Sequence, residues 1–186
     1  MDQIKEGKMD SEINTQKRMI QTKARERDLV DEKDPMLREV CLPVPEEDFN
    51  DDLEYFCLEL FKTMNKNSGY GLAAPQIGDN RRIFTMKDGK ESFICINPQI
   101  EEYSESTVSI KEGCLSFPDL FLYIRRPEAI VVRYYNGWGN ECTHELEGIL
   151  ARCFQHELDH LNGVLFTDYV GKTKLKLAKN KRRKHK

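Results

Sequence analysis

Two histidines four residues apart, His156 and His160, enclose a glutamate in Gln155-His156-Glu157-Leu158-Asp159-His160. The spacing asks for a helix, where side chains at i and i+4 project side by side and two imidazoles can share one metal ion. Glu157 follows the first histidine, so its carboxylate can reach a coordinated water without being a ligand itself. The competing reading is two ordinary helix histidines beside a solvated glutamate. With only four histidines in 186 residues, such a pairing is uncommon, and the metal reading takes precedence. The helix is expected to start near Glu147-Gly148 and to stop before Asn162-Gly163, a C-terminal cap signal.

A hydrolytic site of this kind takes three protein ligands and keeps one position open for water. His144 falls on an expected hairpin and His185 in a basic tail, so neither is well placed. Cys153 lies three residues before His156 on the same side of the helix; it would leave an ion poorly enclosed and is better suited to lining a pocket. Cys114 is the stronger choice. In Glu112-Gly113-Cys114-Leu115-Ser116-Phe117-Pro118, Gly113 lets backbone approach closely and Pro118 is expected to end the segment. Beside a divalent cation its thiol would be deprotonated, although the motif alone also admits a buried core cysteine.

The rest of the chain reads as one α+β domain. Apolar residues at helical spacing between 48 and 66 mark a structural helix, with Asp51 and Asp52 in its first turn and Lys62 and Lys66 in its last. Gly69 to Gly78 holds three glycines and a proline, which predicts a shaped loop without regular structure. Short β-like runs follow at 82–86 and 93–97, and two more at 129–135 and 141–146 flank the hairpin signal Asn136-Gly137. The expected architecture is mixed or antiparallel β-sheets packed around a central helix carrying the histidine pair.

Charged residues make up 33% of the chain, yet the net charge is only −3, which argues against a protein that coats nucleic acid as a whole. Residues 1–33 mix both signs with little apolar periodicity and read as a mobile or loosely helical extension. Folded structure is expected from Asp34, the body spanning 34–170 and a basic tail 171–186. Asp2, Glu6, Asp10 and Glu12 oppose a transit peptide and no apolar signal region follows, so a cytoplasmic location is expected. No run approaches the length that spans a bilayer. The six cysteines lack paired spacing and read as reduced thiols, mostly buried.

GYGLAAPQ, EGCLS and QHELDH, in that order, resemble the three signature motifs of the peptide deformylase family, over roughly residues 34–170. The resemblance implies an ion held by Cys114, His156 and His160. Fe(II) is the expected native ion, with Zn(II), Ni(II) or Co(II) as alternatives; a thiolate ligand exposes a ferrous site to oxidation. It implies hydrolysis of the formyl group from the N-terminal formyl-methionine of new polypeptides. Glu157 would move the proton, and the Gln76 amide with the Leu115 backbone N–H would stabilise the oxyanion.

Substrate would bind as an added strand beside Gly69, Gly71 and Gly113. Tyr70, Ile149, Arg152 and Cys153 would line the methionine pocket. Position 70 is often a smaller aliphatic residue and position 152 often apolar in similar proteins, so either the Arg152 stem packs along the pocket with its head in solvent or side-chain preference differs. Glu112 and Arg126 are expected to brace the Cys114 segment as a charge pair. Residues 172–186 carry nine Lys or Arg and no acid, which fits ribosome contact or a solvated end. The alternative functions are an H-E-x-x-H metalloprotease, whose third ligand is usually histidine or glutamate, and a non-catalytic binding protein of the same fold.

Overall fold

The computed structural model describes residues 23–89 and 91–184, without the Lys184 side chain. Most of the expected N-terminal extension, residues 1–22, lies outside the described residues, as does His185. The first helix, α1 (Asp51–Lys66), begins where Asn50 Oδ1 accepts the backbone N–H groups of Asp52 and Leu53 at 3.0 and 3.2 Å. That cap satisfies amides the helix itself cannot, and Asp51, Asp52 and Glu54 favour its positive end. Its buried stripe is Leu53, Phe56, Cys57, Leu60 and Met64.

Among the described residues seven strands follow: β1 (Gly71–Ala73), β2 (Ile83–Lys87), β3 (Ser92–Tyr103), β4 (Thr107–Cys114), β5 (Phe117–Pro127), β6 (Ala129–Tyr135) and β7 (Glu141–Glu147). Five of them form an antiparallel sheet in the order β1-β2-β3-β6-β7, and β4 pairs with β5 in a separate two-stranded sheet. The helix α2 (Gly148–Leu161) carries the histidine pair, and α3 (Lys172–Lys184) is the last described element.

Strand alternation sorts the core. Ile83, Ile94 and Ile96 join Leu72 and the α1 stripe in one cluster. Their sequence neighbours Phe84 and Cys95, with Met86, face the other way, onto Ala151, Phe154, Leu158 and Leu161 of α2. The sheet is thus sandwiched between α1 and α2, as period-2 side-chain geometry requires. A third cluster, with Leu37, Phe117, Leu120, Leu122, Ile124 and Phe166, lies under the β4–β5 hairpin.

Four sequence expectations change. The segment 69–78 is not wholly irregular: it forms β1 and a 3-10 turn, Ala74–Ile77. Pro118 does not end its segment, because β5 runs through it to Pro127. The folded body begins before Asp34: Ala24 is buried, Arg27 donates from Nε to Glu59 Oε2 at 2.8 Å, and the Val30 N–H donates to the Gln76 carbonyl at 2.9 Å. The basic tail is helical over Lys172–Lys184, and α3 packs Leu175 and Ala178 on the third cluster. Its Arg182 donates to Glu32 Oε2 at 2.7 Å. Among the described residues no helix is long and apolar enough to cross a membrane.

Phe154 is fully buried and meets Phe84 edge-on, ring centroids 4.9 Å apart. Phe154→Ala should lower unfolding free energy by about 3–5 kcal/mol, measured by urea denaturation. A loss confined to a few tenths would mean α2 is not anchored through this ring.

Candidate metal centre

Two structural elements have to meet to build the site. Cys114 ends β4, and only Leu115-Ser116 connects it to β5. Pairing slips between Gly113↔Phe121 and Cys114↔Phe117, pushing Pro118, Asp119 and Leu120 out of the ladder, with Asp119 at a left-handed φ of 63°. A bulge re-aims neighbouring side chains, and Cys114 Sγ comes to lie 3.3 Å from His160 Nε2. One helical turn earlier stands His156, its ring centroid 5.1 Å from that of His160.

One ligand atom from each of Cys114, His156 and His160 lies within 4.8 Å of the others. His156 Nδ1–H donates to Glu112 Oε2 at 3.1 Å, which orients the ring and leaves Nε2 as the atom that would bind an ion. Glu157 Oε2 is buried with no hydrogen-bond partner among the described residues, a position that calls for a polar guest. A thiolate and two imidazoles, with an unpaired carboxylate oxygen alongside, fit a divalent metal ion.

The electrostatics separate the groups. Burial pushes the Glu157 carboxyl up to about 7; the charges of Glu112 and Asp159 add to this and those of His156 and Arg126 oppose it. A carboxylate poised near neutrality suits proton transfer in both directions. Burial would also raise Glu112, but hydrogen bonds from His156 and Arg126 hold it at about 2. The imidazoles diverge. Burial opposes the charged form of His156, yet hydrogen bonds with Cys114 and Glu112 lift it well above the usual range. His160 is pushed well below by burial and by the charge of His156, because two imidazoles this close resist sharing two charges.

Gln76 is held from three sides. Its Oε1 accepts the Ala73 N–H at 2.8 Å, its Nε2 donates to Ser116 Oγ at 3.2 Å and to Cys114 Sγ at 3.5 Å, and its backbone carbonyl accepts from Val30. Its amide therefore points at the sulfur ligand, beside Leu115. Gly71 packs against α2 so closely that a Cβ would collide with the Glu157 carboxylate and come within 2.6 Å of Cys153 Sγ. Gly69 faces Leu115, and Gly113 lies under the Phe121 ring. Tyr70, next to Gly71, and Ile149, in the first turn of α2, are about half exposed.

Arg152 departs from the expectation that its head escapes to solvent. The residue is 4% exposed and its guanidinium donates to Glu112 Oε1 at 2.8 Å. Glu112 and Arg126 do pair, with Nε to Oε1 at 2.8 Å and Nη2 to Oε2 at 3.1 Å. Sequence reasoning missed Ser116 and Asp159. Asp159 accepts from Arg126 Nη1 at 2.6 Å and from the Tyr169 hydroxyl at 3.1 Å. Its position inside the histidine motif was the available signal.

Comparison with known proteins follows the same lines. The model of the polypeptide deformylase family matches residues 26–176. A peptide deformylase of Thermotoga petrophila is 45% identical over 148 residues, 80% of this chain and 89% of that protein. One from Rhizobium meliloti is 44% identical over 146 residues, 76% and 83% of the two chains. Among solved structures, the Synechococcus elongatus peptide deformylase in complex with actinonin superposes with a TM-score of 0.80 at 37% identity, covering 84% of this chain and 86% of that one. The Thermotoga maritima peptide deformylase gives 0.76 at 41%, covering 79% and 99%.

If Glu112 orients His156 as the geometry indicates, Glu112→Gln should weaken ion binding by about 10–100-fold. Competition of the cobalt- or zinc-loaded protein against a chelator measures this. Parental affinity would separate Glu112 from the metal centre.

Proposed function

The chain belongs to the polypeptide deformylase family and, with a divalent metal ion, removes the formyl group from the N-terminus of newly made polypeptides; we propose the residue roles below, with Fe(II) as the native ion. The observation that carries these roles is the convergence of Cys114, His156 and His160 within 4.8 Å, beside the unpartnered Glu157 Oε2. Zn(II), Ni(II) and Co(II) suit the same three donors.

A formamide is a poor electrophile, and water, with a pKa of about 15.7, is a poor nucleophile at neutral pH. An ion held by Cys114, His156 and His160 supplies a Lewis acid for both deficits. Glu157 accepts the proton of the attacking water and passes it to the departing amine nitrogen, so both transfers run through one carboxylate. The Gln76 side-chain amide and the Leu115 backbone N–H stabilise the oxyanion that develops on the formyl oxygen. One such donor is worth roughly 3 kcal/mol.

Substrate recognition uses an edge. β1 is the terminal strand of its sheet and β4 belongs to a two-stranded one, so an extended peptide can add to backbone left unpaired near Gly69, Gly71 and Gly113. Tyr70, Ile149 and Cys153 remain as walls for the methionine side chain. Arg152, withdrawn beneath the hairpin, leaves that set. The metalloprotease alternative is disfavoured by a sulfur third ligand.

The tail extends the reading. Lys176, Lys181 and Arg183 are exposed on α3, and a helix bearing so many cations can attract ribosomal RNA phosphates. Replacing these three residues with glutamate leaves Leu175 and Ala178 in their packing. Co-sedimentation with ribosomes should drop, most clearly at low salt. Undiminished co-sedimentation removes the RNA-contact role from α3.

Glu157→Ala should keep its metal and lose about 10²–10⁴-fold in kcat on a formyl-methionyl peptide, followed by formate release. The parent enzyme should leave internal peptide bonds intact. Turnover by the variant at the parental rate would show that another group moves the proton.

A further inference from the structure

We propose that Arg152 is a positioning residue for the metal centre, its guanidinium stapling the β4–β5 hairpin, which delivers Cys114, to α2, which delivers both histidines. The inference rests on those three residues being the ligands. Arg152 stands one helical turn before His156 on α2, on the side that meets the hairpin. Its Nη1 donates to Glu112 Oε1 on β4 at 2.8 Å and to the Ile124 carbonyl on β5 at 3.0 Å; its Nη2 donates to the Val108 carbonyl on β4 at 2.7 Å. One side chain thus grips both strands of the hairpin and the carboxylate between them.

Glu112 shows why a second guanidinium matters. Oε1 accepts from Arg126 Nε and Arg152 Nη1, while Oε2 accepts from Arg126 Nη2 and His156 Nδ1. Each oxygen receives two N–H donors, which fills the carboxylate's acceptor sites. Arg126 is itself tied to Asp159. Without Arg152 the carboxylate keeps its fork with Arg126 but loses the donor that stops it from pivoting. The two backbone carbonyls lose a charged donor at the same time. The groups facing one another here are two guanidiniums, Arg126 and Arg152, the imidazole of His156, and two carboxylates, Glu112 and Asp159. Removing Arg152 leaves Arg126 shared between two carboxylates, so a buried negative charge is less fully compensated, which is costly.

What the staple adds is rigidity where the site needs it. Cys114 lies at the end of β4, beyond a bulge, and belongs to a two-stranded sheet that cannot hold its own place. Its distance from His160 is set by how firmly the hairpin sits on α2. Loosening that seam should speed ion loss more than it slows chemistry in the loaded enzyme.

The test uses the full chain loaded with cobalt(II), as parent, Arg152→Met, Arg152→Lys and Leu60→Ala. Leu60 lies on α1, at the other face of the sheet, and makes none of the seam's hydrogen bonds, so its variant lowers stability without removing one. Release of cobalt to excess chelator is followed by absorbance, and hydrogen exchange of amides 107–127 is measured in the metal-free proteins. Arg152→Met should release cobalt about 10–100-fold faster, with faster exchange through the hairpin. Arg152→Lys should fall between it and the parent, since one ammonium satisfies Glu112 but cannot fork across two strands. Leu60→Ala should release at the parental rate. If Arg152→Met does not fold, the lysine variant decides. Parental release by either folded Arg152 variant, or equally fast release from Leu60→Ala, overturns the proposal. A parent that takes up no cobalt would instead sink the ligand assignment on which it rests.

Discussion

The buried carboxylate of Glu112 connects everything on which the site depends. It lies on β4, two residues before the cysteine, and receives the imidazole of His156 from α2 and the guanidinium of Arg126 from β5. An ion pair so thoroughly removed from water does not by itself stabilise a fold, because desolvation offsets the attraction. Its value here is geometric. A charge held by four N–H donors has one good position, and it transmits that position to the imidazole beside it.

Around this anchor the two sheets divide the labour. The five-stranded sheet is built by ordinary alternation, with α1 on one face and α2 on the other, and it makes α2 immovable through Phe154 and its neighbours. The two-stranded sheet is small and carries the thiol. Its inner face combines Leu120, Leu122 and Ile124 with the charged Glu112 and Arg126, so it is attached to the body partly by apolar contact and partly by the polar seam. A metal centre with one ligand from the two-stranded sheet and two from α2 would inherit the precision of that seam, and close backbone approach at Gly71 brings β1 up to Glu157. The strap formed by residues 24–33 completes the enclosure by fixing the backbone of Gln76 through Val30.

Much of this was legible in the residues. The helix spacing of His156 and His160 and the α1 stripe rest on local rules, in which side-chain periodicity has one strong solution; the β6–β7 hairpin also forms, but through residues 136–140 with Gly139, not Gly137, in the left-handed region. The β4–β5 hairpin escaped notice because its pattern is masked. Phe121 and Tyr123 occupy exposed positions between buried Leu120, Leu122 and Ile124, while Glu112 takes an inward one, so alternation of apolar and polar types disappears. Residues 23–33 escaped for a related reason: few of their side chains are apolar, and they pack through backbone donors and ion pairs.

The sequence by itself determined which groups can do chemistry: a thiol, two imidazoles four apart, a glutamate between them, and glycines where backbone must come close. Those follow from residue type and local geometry. Tertiary structure alone decided that Cys114 and His160 stand 3.3 Å apart, that Arg152 turns inward to Glu112, and that the tail folds as a helix against β5. These outcomes depend on contacts between segments distant in the chain, where burial and charge pairing choose among rotamers that local spacing leaves equally open.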